Sequence, residues 1–321
     1  MRVAITGSSG LIGGALAASL RADGHEVTRL VRRPASTGGP PTDGRGDAVS
    51  RWDPDATDGG LDAGAFAGVE AVVHLAGAGI ADKRWSAARK AEIRGSRVRG
   101  TRALATGLAR LDPPPATLVC GSAVGWYGDT HGKEADESAP PGSGFLADVV
   151  RDWEQAADPA RAAGIRTAHL RSGIVLDPGG GTLGKLLPLF RLGLGIPLGS
   201  GAQYMSWITL ADEVGAIRFL LGREDMRGPV NGTAPHPVTN AEFTDALNAA
   251  LGRPTLLRLP VPGLRLPGSV LHVPTVALRV ALGEVTGELL ASARVVPRRL
   301  QQAGYEFRHP ELGPALRAML T

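Results

Sequence analysis

Cysteine is nearly absent from this chain of 321 residues, which contains Cys120 alone. A single cysteine excludes an intramolecular disulfide and argues against a cysteine-based zinc site. Lysine is scarce as well, because the 35 basic residues include only Lys83, Lys90, Lys133 and Lys185 as lysines. Long basic blocks are missing, since acids and bases alternate along the chain and the net charge is +4. The charge pattern therefore does not predict a nucleic-acid partner.

Uninterrupted apolar segments are also missing. The N-terminus passes from Arg2 into a short strand-like run and then glycine, unlike the apolar segment of a signal peptide. The most apolar late stretch, residues 256–282, is interrupted by Arg258, Arg265 and Arg279 and by several prolines, so no membrane span is predicted. We therefore expect a cytoplasmic protein. The hydrophobic share of 43% and the charged share of 21% are typical of a globular chain with a sizeable core.

Strand-like and helix-like segments alternate through the first half of the chain. A short apolar run at residues 3–6 is followed by a helical pattern, and this order repeats up to about Arg171. Such alternation predicts an α/β fold with a parallel sheet covered by helices on both faces. One long helix is predicted over residues 145–163. After Arg171 glycine and proline become denser, which predicts a smaller α+β lobe.

The strongest motif is TGSSGLIG at Thr6–Gly13, between the first strand and the first helix. Gly7 would permit the tight turn, Gly10 would let a pyrophosphate approach the backbone, and Gly13 would let helix and strand pack closely. Amides at the helix N-terminus would then face the phosphates. The motif therefore predicts a dinucleotide site. The alternative is a glycine-rich turn without a ligand.

The end of the second strand distinguishes the two nicotinamide cofactors. An acidic residue there would bind the ribose hydroxyls of NAD, but this chain has Val31-Arg32-Arg33-Pro34. Arginine suits a 2′-phosphate and can stack on adenine. These residues favour NADP(H). The alternative is that both arginines are solvated surface charges.

Several motifs together resemble the extended short-chain dehydrogenase/reductase superfamily: TGSSGLIG, HLAGAGI, GSAVGWYG and LRSGIVL. Further motifs resemble an atypical branch known as the epimerase family, whose bacterial members have also been called cell-division inhibitors. These motifs are Arg84-Trp85, Gly95-Ser96-Arg97, Trp153-Glu154, Gly199–Trp207, Asn231 with Ala234-Pro235, and Arg294–Pro297.

The resemblance spans essentially the whole chain and implies an α/β, doubly wound Rossmann sheet with a smaller C-terminal α+β lobe. It implies an NADP-binding Rossmann domain over residues 1–171, to which later segments return. Residues 172–321 would form mainly the substrate cleft and the C-terminal lobe. The branch has no settled reaction, so the resemblance implies no particular substrate.

The resemblance also implies which residues contact NADP(H). For Glu92 and Arg97 an intrahelical or helix-to-loop ion pair is the open alternative. The implied contacts are Gly7, Ser9, Gly10, Leu11 and Ile12 in the phosphate loop, Arg32 and Arg33 at the adenosine end, Leu75, Ala76 and Gly77 beside the ribose and pyrophosphate, Glu92 and Arg97 on the following helix, and Val175 beside the nicotinamide.

The usual proton-transferring pair of the superfamily is missing. Standard members use a tyrosine, a lysine four residues later and a nearby serine, in which the lysine lowers the pKa of the tyrosine hydroxyl. None of Tyr127, Tyr204 and Tyr305 is followed by a lysine at that spacing. The usual acid–base machinery is therefore absent from this chain.

Other candidate site residues follow from position. Ser122 ends a strand where a nicotinamide would lie, or is a strand-end hydroxyl that satisfies a turn. In extended members the tyrosine that corresponds to Tyr127 shapes the pocket. The alternative is that Tyr127 transfers a proton directly. Gln203 and Trp207 lie in a segment that lines the substrate cleft in relatives, although Trp207 would equally suit packing. His74 suits a buried core histidine. The scattered histidines predict no metal cluster.

Two hypotheses for function remain. The first is an NADP(H)-dependent oxidoreductase or epimerase-like enzyme for an unidentified small molecule, in which Ser122 with Tyr127 or a water handles the proton. The second is an NADP(H)-binding redox sensor or regulatory partner without turnover, linked to cell division. The missing tyrosine–lysine pair favours the second, whereas Ser122 and Gln203 favour the first. An ordinary sugar-nucleotide epimerase is disfavoured, and the sequence does not determine the oligomeric state.

Overall fold

The computed structural model describes residues 1–32, 47–56, 60–80, 82–253 and 285–321. Within these ranges no helix is both long and apolar enough to cross a membrane. The strands are β1 Arg2–Thr6, β2 Glu26–Val31, β3 Ala48–Arg51, β4 Ala71–His74, β5 Thr117–Ala123, β6 Arg166–Ser172, β7 Ile174–Asp177, β8 Tyr204–Met205, β9 Trp207–Thr209, β10 Gly228–Gly232 and β11 Val238–Thr239. The α-helices are α1 Leu11–Ala22, α2 Ala87–Leu108, α3 Phe145–Gln155, α4 Asp158–Ala162, α5 Gly181–Arg191, α6 Leu210–Leu221, α7 Asn240–Ala250, α8 Val285–Leu290, α9 Arg298–Gln302 and α10 Leu312–Leu320, and 3₁₀ turns cover Ala63–Phe66 and Val124–Tyr127.

Seven strands form one sheet in the order β10-β6-β5-β4-β1-β2-β3. Strand β1 pairs in parallel with β2 and with β4, and the outer neighbours β3 and β5 continue the parallel arrangement. The strand order reverses beside β1, and this reversal opens a crevice at the carboxyl ends of the strands, where α/β sheets bind ligands. The predicted α/β, doubly wound Rossmann fold is confirmed.

Burial explains why the central strands are continuously apolar. Val3, Ala4 and Ile5 of β1 are fully buried, as are Val72 and Val73 of β4. A parallel sheet with helices on both faces leaves no polar face for its strands. The alternation of short apolar runs with helical patterns therefore predicted the sheet correctly.

The helix that was expected over residues 145–163 is two helices. Helix α3 ends at Gln155, and α4 begins at Asp158 with Pro159 in its first turn. Proline has no N–H to donate to the carbonyl four residues earlier, which here belongs to Gln155, and its ring would clash with that carbonyl. Pro159 therefore stops α3 and starts α4.

The chain divides into two compact units. The first contains residues 1–126, 144–171 and 213–230, and the second contains residues 127–143, 172–212 and 231–321. Each unit is assembled from separate stretches of sequence, so the division does not follow one boundary along the chain.

The second unit has its own apolar core. Helix α5 contributes Leu187 and Phe190, α7 contributes Phe243, and α10 contributes Leu316, all packed with Trp207 of β9. Its strands form two small sheets, with β7 and β9 in parallel and β8 and β11 antiparallel.

Candidate functional site

Gly7 in the loop between β1 and α1 and Gly13 in the first turn of α1 are required by close packing. Gly7 has a φ of +68°, and a Cβ there would lie 2.7 Å from the carbonyl carbon of Leu75. A Cβ on Gly13 would lie 2.3 Å from the carbonyl oxygen of Gly7. Any side chain would therefore push the loop off the end of β4 or push α1 off the loop.

Gly10 is different, because little inside the chain demands a glycine there. Among the residues that the structure describes, a Cβ at this position would meet only the Gly7 carbonyl oxygen, at 3.3 Å. Gly10 is exposed and precedes α1 without a side-chain hydrogen bond to the helix start, and the first turn of α1 has no acidic residue. The helix N-terminus thus presents uncapped amides and a favourable dipole on an open side. This donor set fits a pyrophosphate.

The end of β4 is tied to the end of β1 beneath this loop. The main-chain amides of Leu75 and Ala76 donate to Thr6 Oγ1 at 3.1 and 3.3 Å. With both acceptor positions of the hydroxyl occupied, its proton goes to His74 Nδ1, at 2.7 Å. These contacts fix the backbone of Leu75 and Ala76, and the next residue, Gly77, is exposed.

His74 is a buried, neutral histidine with two partners. Its Nδ1 accepts from Thr6, so the proton sits on Nε2, which donates to Thr101 Oγ1 at 2.9 Å. Trp153 Nε1 donates to the same Thr101 oxygen, also at 2.9 Å. Burial lowers the pKa of His74 to about 4. His74 therefore joins β1, β4, α2 and α3 as a structural residue.

The adenosine end of the candidate site carries exposed positive charge. Arg32 follows the last residue of β2 and is exposed. Arg33 lies outside the described residues. Arg29 lies in β2, three positions before Arg32, and its Nε is 3.0 Å from Ser8 Oγ in the loop after β1.

Glu92 and Arg97 of α2 do not pair with each other. Glu92 is exposed and forms an intrahelical ion pair with Arg89 at 2.7 Å. Arg97 is buried, and its Nη1 donates to the carbonyls of Ala78 and Ile93 at 2.9 and 3.2 Å. Burial and the nearby Arg89 lower the pKa of Arg97 to about 10. Arg97 therefore fastens the loop after β4 to α2.

Ser122 belongs to a buried ionic cluster at the carboxyl ends of β5 and β6. Its Oγ donates to Glu154 Oε1 at 2.7 Å. Arg171 donates two hydrogen bonds to the same carboxylate, from Nε at 2.8 Å and from Nη2 at 2.9 Å. The Arg171 guanidinium also lies 3.9 Å from the centre of the Trp126 ring. The hydroxyl proton of Ser122 is thus committed to Glu154, and only an oxygen lone pair is left for another group.

Tyr127 begins the second unit and is also buried. Its hydroxyl donates to Asn231 Oδ1 at 2.7 Å. The Asn231 amide group is held by the Val296 carbonyl at 2.9 Å, and its main-chain N–H donates to Glu137 Oε1 at 2.9 Å. Burial raises the pKa of Glu137 above its ordinary value of 4.5. The geometry gives Tyr127 a role in fixing Asn231.

Three further candidates lie elsewhere in the second unit. Val175 is half-buried in β7, opposite Ile208 of β9. Gln203 is buried, and its amide nitrogen donates to the Leu198 carbonyl at 3.0 Å. Trp207 is completely buried in the core, and its ring nitrogen donates to the His236 carbonyl at 3.0 Å. Trp207 therefore has the contacts of a packing residue.

The sequence did not predict two of these contacts, that of Arg29 with Ser8 and that of Arg171 with Glu154. The available signal was an arginine beside buried residues in each of two strands, Arg29 in β2 and Arg171 in β6. A buried charge requires a partner, but the strand pattern does not identify which one.

Two family models match the chain. Residues 3–231 match the NAD dependent epimerase/dehydratase family, and residues 273–319 match a domain of unknown function, DUF1731. The first match contains the phosphate loop, the end of β4 and Ser122. The second includes residues outside the described ranges.

Proteins of known name resemble the chain over almost its full length. An epimerase family protein of Mycobacterium bovis is 46% identical over 316 residues, covering 98% of this chain and 96% of the relative. The human epimerase family protein SDR39U1 is 37% identical over 326 residues, covering all of both chains. A crystal structure of human SDR39U1 isoform 2 with NADPH superposes with a TM-score of 0.83 at 34% identity, covering 100% of this chain and 99% of that chain.

Proposed function

This chain belongs to the NAD-dependent epimerase/dehydratase family, and on that premise we propose that it binds NADP(H) in its first unit. We further propose that it is an oxidoreductase or epimerase-like enzyme for a small molecule. The observation that carries the proposal is the uncapped start of α1 beside Gly10, where amides and the helix dipole suit a pyrophosphate.

NADP(H) is preferred over NAD(H) because of the residues after β2. The chain has Arg32 and Arg33 at the place where NAD-binding proteins carry an acidic residue. The positively charged guanidinium of an arginine suits the negatively charged 2′-phosphate of NADP(H). The human relative that was crystallised with NADPH supports the same choice.

Bound NADP(H) would supply hydride transfer at nicotinamide C4. Ser122 is the residue that we assign to the substrate oxygen. Because its proton is directed to Glu154, it offers a lone pair that accepts a hydrogen bond from the hydroxyl form of the substrate. A water would take this hydroxyl proton when the hydride leaves the substrate and would supply it in the reverse direction. Tyr127 donates to Asn231, so we assign it to shaping the site rather than to proton transfer. We propose Gln203 as the polar contact to the substrate. For the remaining cofactor contacts we propose the residues that the family resemblance implies.

The test is a titration of the purified protein with NADPH and with NADH, followed by tryptophan fluorescence and nicotinamide emission. We expect tighter binding of NADPH. Arg32→Glu should weaken NADPH binding by tenfold or more, on the order of one charge-assisted hydrogen bond, and should leave NADH binding almost unchanged. The same change at the exposed residue Arg161 is the control. Equal losses for both cofactors would contradict the 2′-phosphate assignment, and no binding of either would contradict the proposed function.

A second candidate function is an NADP(H)-binding sensor without turnover. The observation that favours it is that the hydroxyls of Ser122 and Tyr127 both donate within their own units, in a chain without the tyrosine–lysine pair. An enzyme should oxidise NADPH in the presence of a suitable carbonyl compound. A sensor should leave NADPH intact. The protease cleavage pattern of the protein should then differ between its NADP⁺-bound and NADPH-bound forms. The link to cell division stays a prediction.

A further inference from the structure

Arg29 is a half-buried arginine in strand β2. It lies in β2 opposite Ile5 of β1, and its neighbours Thr28 and Leu30 are buried. A guanidinium that is partly removed from water needs hydrogen-bond acceptors, because the desolvation of a charge without them is costly. Ser8 of the phosphate loop supplies two acceptors.

The two hydrogen bonds hold both the side chain and the main chain of Ser8. Arg29 Nε donates to Ser8 Oγ at 3.0 Å, and Nη2 donates to the Ser8 carbonyl oxygen at 2.8 Å. Ser8 is buried, whereas Ser9 and Gly10 are exposed. In a planar trans peptide the carbonyl and the following N–H point in opposite directions. A Ser8 carbonyl that faces Arg29 therefore turns the Ser9 N–H away from Arg29.

We propose that Arg29 is a positioning residue of the phosphate loop, which holds the Ser8–Ser9 peptide so that the Ser9 N–H faces the cofactor pyrophosphate. This inference rests on the proposed NADP(H) binding. The pyrophosphate is common to NADPH and NADH, whereas only NADPH has the 2′-phosphate. Arg29 therefore supports both cofactors equally, in contrast to Arg32.

The experiment compares Arg29→Leu, Arg29→Lys and wild type in the same NADPH and NADH titrations. Arg29→Leu should weaken both cofactors by about tenfold, as expected for the loss of charge-assisted hydrogen bonds. The ratio of the two affinities should not change. Arg29→Lys keeps the charge and one donor group, so it should recover part of the loss for both cofactors. Arg161→Leu is the matched control, because this exposed arginine lies in α4 of the same unit and pairs only with Asp158 among the described residues.

A double-variant cycle tests whether Arg29 acts through Ser8. Ser8→Ala removes the Oγ acceptor and leaves the carbonyl acceptor, so it should cost less affinity than Arg29→Leu. In the double variant the losses should be less than additive, because the two residues share one interaction. Additive losses would contradict action through Ser8. Should Arg29→Leu fail to fold, Arg29→Lys and Ser8→Ala provide the same comparison.

The outcomes separate this inference from the function on which it rests. Wild-type protein that binds neither cofactor overturns the proposed function. Wild-type binding with unchanged affinities in the Arg29 variants overturns the inference alone. A loss restricted to NADPH also overturns it, because the guanidinium would then act on the 2′-phosphate and not on the loop.

Discussion

At the scale of single residues, the destination of one proton limits what a hydroxyl can do. Ser122 has the sequence position of a proton-handling serine, but its hydroxyl donates to a carboxylate that Arg171 also holds. The hydroxyl of Tyr127 likewise donates its proton in a hydrogen bond to Asn231 Oδ1. A hydroxyl with one proton cannot donate to two groups at once. Under the proposed function, a substrate hydroxyl would therefore donate to the lone pair of Ser122.

The ionic cluster makes a residue-scale prediction about stability. Arg171→Met should lower the free energy of unfolding by about 3–5 kcal/mol, because it leaves the buried Glu154 carboxylate without its cation. Replacing both charges, as Arg171→Met with Glu154→Leu, should recover most of that loss. Denaturant unfolding of the single and double variants measures both effects. A single variant as stable as wild type would show that the pair is dispensable.

At the scale of elements, the β1–α1 connection combines a tight turn with an open helix start. Gly7 and Gly13 bring the loop against β4 and α1 against the loop. Thr6 and His74 then tie the strand ends together beneath it. Rigid support of this kind places the amides before a ligand arrives, which reduces the entropy cost of binding.

Adjacent glycines in α1 provide the element-scale prediction. Gly13→Ala would place its Cβ 2.3 Å from the Gly7 carbonyl oxygen, so it should displace the helix start and weaken binding of both cofactors. Gly14→Ala is the matched control, because its Cβ would lie 3.6 Å from the Ser8 carbonyl oxygen, an ordinary contact. Gly14→Ala should stabilise α1 by about 0.5–1 kcal/mol. Cofactor titration and thermal unfolding of the two variants would distinguish them, and equal behaviour would contradict the packing argument.

At the scale of the whole molecule, the two units differ in how protonation affects them. The first unit contains His74 and His169, both buried, and desolvation lowers the pKa of each to about 4. In the second unit, burial raises the pKa of Glu137. Acid therefore opposes folding of the first unit through its histidines, whereas protonation of Glu137 relieves a desolvation cost in the second.

The histidines predict the pH dependence of stability. Because their folded pKa of about 4 lies below the ordinary value of 6.5, the folded state binds fewer protons between these values. The stabilisation is present above pH 6.5 and is lost as the pH falls towards 4, by about 3 kcal/mol for each histidine.

His169 isolates this effect, since its Nε2 has no hydrogen-bond partner among the described residues. Between pH 6.5 and pH 4, the free energy of unfolding of His169→Leu should fall by about 3 kcal/mol less than that of wild type. Denaturant unfolding at these two pH values measures the difference. Parallel pH profiles for the two proteins would contradict the prediction.

The amount that sequence predicted differs between local and distant features. The glycine turn before α1, the parallel sheet and the family were identified from short motifs and apolar runs. The break between α3 and α4 was missed, although Pro159 marks it, because a continuous helical pattern outweighed one residue. The environments of Glu92 and Arg97 were left open, since α2 alone does not show that Glu92 pairs with Arg89 while Arg97 reaches the loop after β4.

The sequence by itself determined the features that a few neighbouring residues encode: a strand covered on both faces, a glycine turn before a helix, and basic residues after β2. Only the tertiary structure decided where the buried charges and protons go. Glu154 meets Ser122 across 32 positions and Arg171 across 17 positions, and Arg29 meets Ser8 across 21 positions. The physical reason is that a buried polar group takes whichever partner folding brings within about 3 Å, and that distance depends on the whole sheet and not on the local motif.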